Sequence, residues 1–491
     1  MIDDATQMLR EYVESARWFG GKGRELTVVG VRRAAVLDGV AGGPRVGFEL
    51  VTVEYAGAEQ ETYQVPLAYY PEEQERLEHA LGGSWTDDEL GVVHAYDAVH
   101  DREAAALWLA AFGAAAEGPV SVGDLTFHRL PGHDLDQDTH STLFSGEQSN
   151  SSLAFGNDSL MKVFRKVTPG SNPDIVIHRA LTEQGSEHVA ALYGWLELGV
   201  GAEEPMQLAM LQQFLRTASD GWDLALASVR DLFAEADLHA DEVGGDFAGE
   251  AERLGLATAQ VHDVLAERFP TESWDGADLA VVSEAMLGRL DAALLVVPEL
   301  AAYADGLRDT FRALADLGTA GEPATAQRVH GDFHLGQTLR TSKGWKLVDF
   351  EGEPAKPLAE RVRPDLVWRD VAGMLRSFDY AAHAVMGDFL ADEDTNRQIA
   401  FRAAEWADRN QAAFVRGYSD NSGRTAGQQP PGLSERQSLV LSAYVADKAV
   451  YEAVYEARNR PTWLPIPLGA IARITAAARD PHTPPNLEAH S

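Results

Sequence analysis

One stretch of the chain, residues 329–380, reads VHGDFHLGQTLRTSKGWKLVDFEGEPAKPLAERVRPDLVWRDVAGMLRSFDY. Within it, Gln337 follows Asp332 after four intervening residues, and Asp349 ends the apolar segment that comes next. A carboxylate, an amide and a second carboxylate in this order are typical of sites that transfer a phosphoryl group. We therefore expect this stretch to carry the chemistry and the rest of the fold to support it.

The side chains of this stretch suggest separate roles. Asp332 is the candidate base that accepts the proton of an acceptor hydroxyl. The Gln337 carbonyl and the Asp349 carboxylate are hard oxygen donors of the kind that Mg²⁺ prefers. His330 is interpreted as an architectural brace of the loop, and Glu351 either adds a metal or substrate contact or faces solvent.

A lysine upstream is the candidate phosphate ligand. Lys162 lies among apolar residues in a predicted strand over 160–165, where an unpaired ammonium would be costly. It either binds the α and β phosphates of ATP or reaches solvent from an edge strand. A small, polar run over 146–152 leads into the strand before it, and its backbone N–H groups and hydroxyls suit phosphates. Its candidate ligands are Ser149, Asn150, Ser151 and Ser152.

A helix beginning near Asn172 should supply an acid to pair with Lys162, yet Val176 stands at the expected position. Asp174 or Glu183 would then have to substitute. Further on, an apolar strand over 210–215 runs into a polar loop, as expected for a hinge that meets adenine. Gln213 and Leu215 are the candidate adenine contacts.

The chain is organised as a strand-rich first part and a helical second part. Strands are predicted over 26–37, 46–55 and 59–67, then over 126–130, 152–155 and 160–165. After residue 221 helical spacing dominates, with two strands predicted at 328–330 and 346–350. We predict an amino-terminal cap over 1–86, an intermediate lobe over 87–217 and a helical lobe over 218–491.

Composition limits the partners of the protein. Forty-one basic against 76 acidic residues give a formal net charge of −35, which disfavours nucleic acid and anionic membranes. No cysteine is present, so disulfides and thiolate metal sites are excluded. The amino-terminal segment lacks the pattern of a signal peptide, and we expect a cytoplasmic protein. The sequence does not determine the oligomeric state, and a monomer is compatible with it.

The motifs resemble a known family. HGDFHLGQTLR, VDFEGEPAKPLAE and RDVAGMLRSFDYAA are similar to motifs of the aminoglycoside-phosphotransferase-like kinases, and more closely to those of bacterial maltokinases. ARWFGGKGR near the start and DKAVYEAVYEARNRPTWLPIPL near the end extend the likeness over almost the whole chain. The resemblance implies an α+β, bilobal, eukaryotic-protein-kinase-like fold with an amino-terminal cap. It also implies ATP, Mg²⁺ and a free sugar as acceptor.

By the same resemblance, Asp332 is the base, Gln337 and Asp349 hold the metal, and Lys162 holds phosphate. Two positions depart from the family pattern: Val176, and the segment 366–368 before Arg369. These departures leave the lysine partner and the sugar open.

The acceptor pocket is expected between the catalytic stretch and the late helices. On one predicted helix Lys448, Glu452, Tyr455 and Asn459 share a face by i, i+3 and i, i+4 spacing, which suits sugar hydroxyls but also an exposed, salt-bridged face. Trp463 either stacks on a pyranose or anchors the helix end. Further candidates are His334, Asp379, Tyr380 and Glu456.

Two sugars fit these expectations. Maltose would yield an anomeric phosphate, and glucosamine would yield the 6-phosphate. The glucosamine ammonium would need a carboxylate such as Glu452, Glu456 or Asp379, and the acidic composition favours this amino sugar slightly. Actinobacterial glucosamine kinases are similar to maltokinases over the same length. An aminoglycoside phosphotransferase and a non-catalytic nucleotide-binding pseudokinase are the remaining alternatives.

Overall fold

The computed structural model describes residues 4–40, 42–144, 149–199, 204–235, 239–317, 323–353, 356–389, 392–419 and 432–479. The chain divides into two compact units. Unit 1 comprises Met1–Thr182 and Ala190–Arg216, and unit 2 comprises Glu183–Val189 and Thr217–Ser491. Among the described residues, no helix is both long and apolar enough to cross a membrane.

Unit 1 is built from strands and a few helices. In chain order its elements are α1 (Asp4–Ser15), β1 (Leu26–Leu37), β2 (Arg45–Tyr55), β3 (Gln60–Tyr70), β4 (Leu81–Asp87), β5 (Gly91–Asp97), α2 (Arg102–Ala114), β6 (Val120–Val122), β7 (Leu125–Arg129), β8 (Ser141–Phe144), β9 (Asn150–Phe155), β10 (Ser159–Phe164), β11 (Lys166–Val167), α3 (Pro173–Glu183), β12 (Leu192–Leu198) and β13 (Met206–Gln213).

Two antiparallel sheets organise these strands. The first has the order β1-β2-β3-β5-β4, with β11 also paired to β3, and the second has the order β6-β7-β12-β13-β10-β9-β8. α1 covers one face of the first sheet through Leu9 and Val13. α2 packs on the other face and on the second sheet, because Trp108 contacts Phe48 and Phe112 contacts Phe127. One apolar core therefore runs from the first sheet into the second.

Unit 2 is mainly helical. Its elements are β14 (Ser219–Asp220), α4 (Gly221–Ala234), α5 (Ala248–Arg268), β15 (Glu272–Trp274), α6 (Gly276–Leu294), α7 (Ala304–Leu317), β16 (Ala324–Ala326), β17 (Thr338–Thr341), β18 (Gly344–Leu347), α8 (Leu358–Arg361), α9 (Trp368–Ala384), α10 (Glu393–Ser419), α11 (Glu435–Asn459) and α12 (Pro465–Arg479). α9 is the central helix, with a nearly continuous run of buried residues from Asp370 to Asp379.

The predicted mixture of a strand-rich first part and a helical second part is confirmed. The first sheet has three strands more than predicted, β4, β5 and β11, and the last two lie beyond the predicted cap boundary at residue 86. The three-part division of the chain stays a prediction.

Two strand predictions in the catalytic stretch were wrong in their bounds. No strand covers 328–330, and the strand lies earlier, at Ala324–Ala326. The backbone N–H of His330 donates to the Asp370 carboxylate and not to a neighbouring strand. β18 ends at Leu347, two residues before Asp349, whose φ of +67° is incompatible with an extended strand.

Candidate active site

A buried carboxylate holds the start of the catalytic loop in place. The Asp370 oxygens accept hydrogen bonds from the backbone N–H groups of His330, at 2.7 Å, and Gly331, at 2.8 Å. Nε2 of His262 lies 3.0 Å from the same carboxylate. Burial opposes ionisation, but the hydrogen bonds from His262 and Gly331 still hold the pKa of Asp370 below its ordinary value. The backbone just before Asp332 is therefore anchored to α9.

The His330 ring has a structural position. Its Nε2 donates to the carbonyl of Val348 at 3.0 Å, and the ring lies between Phe333 and Phe350. The side chain thus connects the loop to the segment that carries Asp349. These contacts suit the bracing role predicted for it.

A short hairpin brings the two predicted metal ligands together. β17 and β18 pair with Thr338 opposite Leu347, so Gln337 and Asp349 both leave the same end of the hairpin. The Gln337 side chain lies 3.1 Å from Asp349 Oδ2. In the part of the chain that the structure describes, Asp349 and Ala58 are the two residues other than glycine with a positive φ, a conformation often found at functional sites.

This pair fits a magnesium ion chemically. Adjacent ligands of an octahedral ion with bonds of about 2.1 Å lie about 3 Å apart, close to the observed separation. The Gln337 side chain can present its carbonyl oxygen by an amide flip, since oxygen and nitrogen are assigned from the hydrogen-bond network. Both ligands are half-buried, which leaves access for an ion.

Asp332 opens into a cavity of about 440 Å³ within unit 2. Gly331 and Phe333 line it beside the carboxylate, and Lys448 of α11 places its Nζ 3.7 Å from Asp332 Oδ1. The candidate base therefore faces a space large enough for a small ligand.

The cavity has a wall of charged residues. Glu353 pairs with Lys356 at 2.9 Å and with Arg369 at 3.5 Å, and Arg369 also pairs with Asp365 at 3.2 Å. Burial opposes ionisation of Glu353, but Lys356 holds the pKa of its carboxyl below the ordinary value. This carboxylate is therefore ionised at neutral pH. A face with this many donors and acceptors suits hydroxyl and ammonium groups.

Further lining residues, mostly apolar, come from α6 and β15. Val281, Val282, Ala285 and Met286 come from successive turns of α6, and Trp274 ends β15. Apolar and aromatic surface of this kind packs against the C–H face of a sugar ring.

Among the predicted acceptor residues, Lys448 is the one that appears in the lining of this cavity. Tyr455 is 47% exposed, and Asn459 is exposed and donates to the carbonyl of Tyr455. Glu452 is buried and accepts from Arg376 at 2.8 Å. Of the predicted helix face, only Lys448 therefore lines the cavity, and Glu452, Tyr455 and Asn459 do not.

Four other predicted acceptor residues lie in contacts among the late helices. Asp379 pairs with Arg376 and accepts from Arg473 at 2.8 Å. Glu456 pairs with Arg460 at 2.6 Å and accepts from the Tyr380 hydroxyl at 3.1 Å. The Tyr380 and Trp463 rings lie 6.0 Å apart, and the Arg460 guanidinium lies 4.6 Å from the Trp463 ring centre. These side chains brace α9, α11 and α12, as an anchored helix end would require.

His334 and Glu351 stay beside the loop. The N–H of Gly336 donates to His334 Nδ1 at 3.1 Å, which requires an unprotonated nitrogen there. Burial lowers the pKa of His334 and favours that neutral ring. The backbone carbonyl of Glu351 accepts from Arg361 at 3.1 Å, and its side chain is half-buried. The cavity lining includes neither residue.

Sequence reasoning missed most of the charged lining. On α11 the residues that do line the cavity are Tyr444, Asp447, Lys448 and Tyr451, which follow i, i+3, i+4 and i+7 spacing. The spacing of these four residues is visible in the sequence. The predicted face, which begins at Lys448 and runs toward Asn459, has equally regular helical spacing. Glu353 lies only four residues after Asp349, within the VDFEGEPAKPLAE motif.

In unit 1, Lys162 has a buried partner on α3. Its Nζ lies 2.9 Å from Asp174 Oδ2, and His178 Nδ1 lies 3.0 Å from the other oxygen. Burial opposes ionisation, but Lys162 and His178 hold the pKa of Asp174 well below its ordinary value. Asp174 is thus the acid that substitutes at this helix, since Glu183 pairs with Arg268 instead.

The predicted phosphate-binding run divides at the strand. Residues 146–148 lie outside the described part of the chain, and Ser149 immediately precedes β9. Ser152 pairs directly with Lys162 across β9 and β10, so both side chains share one face of the sheet. Ser151 lies on the opposite face, where its hydroxyl accepts from Arg165 at 2.9 Å. Asn150 begins β9 and is half-buried.

The predicted hinge residues lie at the end of β13, which Gln213 closes. The N–H of Gln213 donates to Ala191 at 2.8 Å, and Leu215 lies half-buried two residues later. Their contact with adenine stays a prediction.

A loop whose carboxylate faces a cavity, a pair of oxygen donors that could hold magnesium, and a lysine–aspartate pair on a strand and a helix are features expected of a kinase-like phosphotransferase. Known proteins similar to this chain are sugar kinases.

Residues 12–101 match the model of the maltokinase N-terminal cap domain. The chain is 32% identical over 330 residues to a glucosamine kinase from Streptacidiphilus jiangxiensis, a match that covers 65% of this chain and 70% of that one. A glucosamine kinase from Mycolicibacterium smegmatis is 28% identical over 333 residues, covering 66% and 77% of the two chains.

A solved structure of a glucosamine kinase in complex with glucosamine, ADP and inorganic phosphate covers 96% of this chain and 99% of its own. It aligns with a TM-score of 0.66 at 25% identity. The chain belongs to the maltokinase-like sugar kinases that include these glucosamine kinases. It is an ATP-dependent sugar kinase with the predicted protein-kinase-like fold, and enzymes of this kind use Mg²⁺.

Proposed function

We propose that this enzyme transfers the γ-phosphoryl group of ATP to the 6-hydroxyl of glucosamine, yielding glucosamine 6-phosphate and ADP. The observation that carries the proposal is the cavity at Asp332, whose lining combines carboxylates and tyrosine hydroxyls with apolar residues of α6. Both relatives described above are named glucosamine kinases.

In this proposal Asp332 orients the acceptor hydroxyl and accepts its proton as the new P–O bond forms. Lys448, 3.7 Å from Asp332, donates to a sugar hydroxyl. Gln337 and Asp349 would hold Mg²⁺, which neutralises charge on the phosphate oxygens when bound. Lys162, fixed by Asp174, holds nucleotide phosphate.

Glu353 is our candidate for the glucosamine ammonium. It is ionised and lines the cavity. Burial raises the pKa of Tyr451, another lining residue, and the neighbouring Glu353 carboxylate raises it further. Glu452, Glu456 and Asp379, the carboxylates expected from sequence, each have a buried arginine or an adjacent arginine as partner. Glu353 is itself paired with Lys356 and Arg369, but it lines the cavity and the other three carboxylates do not.

Maltose is the second candidate acceptor, because the cap matches a domain named for maltokinase. ATP-consumption assays with glucosamine, glucose, maltose and an aminoglycoside at equal concentrations separate the alternatives. We expect glucosamine to be turned over fastest. Turnover of maltose alone, or of the aminoglycoside above every simple sugar, would refute the proposal. The cytoplasmic location stays a prediction.

A further inference from the structure

Arg165 lies at the junction of the two sheets of unit 1. It is the single residue between β10, which carries Lys162 in the second sheet, and β11, which pairs with β3 of the first sheet. The whole residue is 1% exposed. A buried guanidinium at this point requires compensation from both sides.

The contacts of Arg165 reach from the first sheet to the predicted phosphate-binding run. Its Nη2 donates to Asp97 at the end of β5 at 2.8 Å, and its Nε donates to the Ser151 hydroxyl at 2.9 Å. The guanidinium also lies 4.9 Å from the Trp18 ring centre. Tyr12 of α1 donates to the same oxygen of Asp97. The series Tyr12–Asp97–Arg165–Ser151 therefore links α1 to β9.

Hydrogen bonds from Gln64 to backbone carbonyls also connect the two sheets at this junction. The N–H of Gln64 in β3 donates to the Arg165 carbonyl at 2.7 Å, and its side chain donates to the Leu208 carbonyl in β13 at 3.2 Å. The first sheet thus contacts β9 through Ser151 and β13 through Leu208, and the Ser151 contact lies on the face opposite Lys162. Ser152 and Lys162 are held in position on the other face of these strands.

We propose that Asp97 and Arg165 are positioning residues for nucleotide binding. The first sheet sets the place of β9 and β10 through this buried pair, and with it the geometry of Ser152 and Lys162 toward phosphate. Preorganisation of this kind commonly changes ligand affinity when a supporting side chain is removed. The inference rests on the proposed assignment of Lys162 to nucleotide phosphate.

The test measures the Kd of ADP with Mg²⁺ by titration calorimetry, together with KM for ATP and for glucosamine. We expect Asp97→Asn to raise the Kd of ADP about tenfold, and Ser151→Ala to raise it about threefold. KM for glucosamine should change less than about twofold in both, since the cavity in unit 2 is untouched.

Asp87→Asn is the matched control. Asp87 also pairs with an arginine of the first sheet, Arg33, at 2.6 Å, but has no contact with β9 or β10 among its described partners. The Asp87→Asn variant should have a lower thermal stability than the parent enzyme and the same Kd of ADP. If Asp97→Asn and Ser151→Ala behave like this control, the positioning role is refuted.

Two further variants keep the outcome interpretable. Should Asp97→Asn fail to fold, the double variant Asp97→Leu with Arg165→Met replaces both charges by apolar side chains and should fold with a raised Kd of ADP. Lys162→Met tests the assignment beneath the inference. If Lys162→Met leaves the Kd of ADP unchanged, Lys162 is not the phosphate ligand. If Lys162→Met raises the Kd of ADP but the Asp97 and Ser151 variants do not, only the positioning role is refuted.

Discussion

The catalytic loop and α11 line the same cavity but are held in different ways. The loop is anchored through its backbone, because one carboxylate, Asp370, accepts from two consecutive N–H groups. α11 is anchored through side chains, with Glu452 on Arg376 and Asp447 on Arg289 at 2.8 Å. The loop geometry thus tolerates little change, whereas the helix surface toward the cavity can vary with single side chains.

This difference separates chemistry from specificity. A defect in the loop should slow the reaction with every acceptor, and a defect on the α11 face should change the affinity for one acceptor.

The largest effect is expected at the base itself. Asp332→Asn removes the proton acceptor while keeping a similar shape, and kcat should fall about 10²- to 10⁴-fold. KM for ATP should remain within about threefold. Steady-state kinetics with saturating ATP measure the effect. Full activity in this variant would remove Asp332 from the mechanism.

The next effect is expected at the backbone anchor. Asp370→Asn leaves one of the two loop N–H groups without an acceptor, which should cost about 1–3 kcal/mol of unfolding free energy. kcat should fall about tenfold for each accepted sugar alike, because the misplaced loop serves them all. Denaturant unfolding and a panel of two sugars check both expectations. A loss confined to one sugar would contradict the separation.

On α11 we expect a selective effect. Lys448→Met removes the donor beside Asp332 and should raise KM for glucosamine about tenfold, the size of one hydrogen bond to a charged group. KM for ATP should stay unchanged. Tyr455→Phe, two turns further along the same helix and 47% exposed, is the control and should match the parent enzyme. Equal effects in both variants would place the acceptor elsewhere.

The smallest effect concerns pH and distinguishes two carboxylates. Lys356 keeps the pKa of Glu353 below its ordinary value against the effect of burial, so Glu353 stays ionised as pH falls from 7 to 5. Burial raises the pKa of Glu452, although Arg376 and Lys448 oppose the shift. If Glu353 binds the ammonium, KM for glucosamine should be constant over this range. A KM that rises as pH falls would favour Glu452 as the binding group.

The sequence predicted the parts of the site whose geometry is local. Asp332, Gln337 and Asp349 are brought together by a loop and one hairpin, so their spacing along the chain already determines their proximity. Lys162 was predicted on a buried strand, and its aspartate partner was one of the two acids considered.

The parts that depend on packing between distant elements were not predictable in the same way. The orientation of α11 is fixed by Arg376 on α9 and Arg289 on α6, neither of which its own periodicity reveals. Two faces of that helix were equally regular, and the structure selects the one that begins at Tyr444. Asp370 was similarly hidden, because nothing local shows that its oxygens accept from residues 330 and 331.

Phosphorus NMR of the product tests the central claim most directly. With ATP, Mg²⁺ and an equimolar mixture of glucosamine and maltose, we predict one new phosphomonoester, coupled to the C6 protons of glucosamine. An anomeric phosphate on maltose, with glucosamine unchanged, would contradict the account.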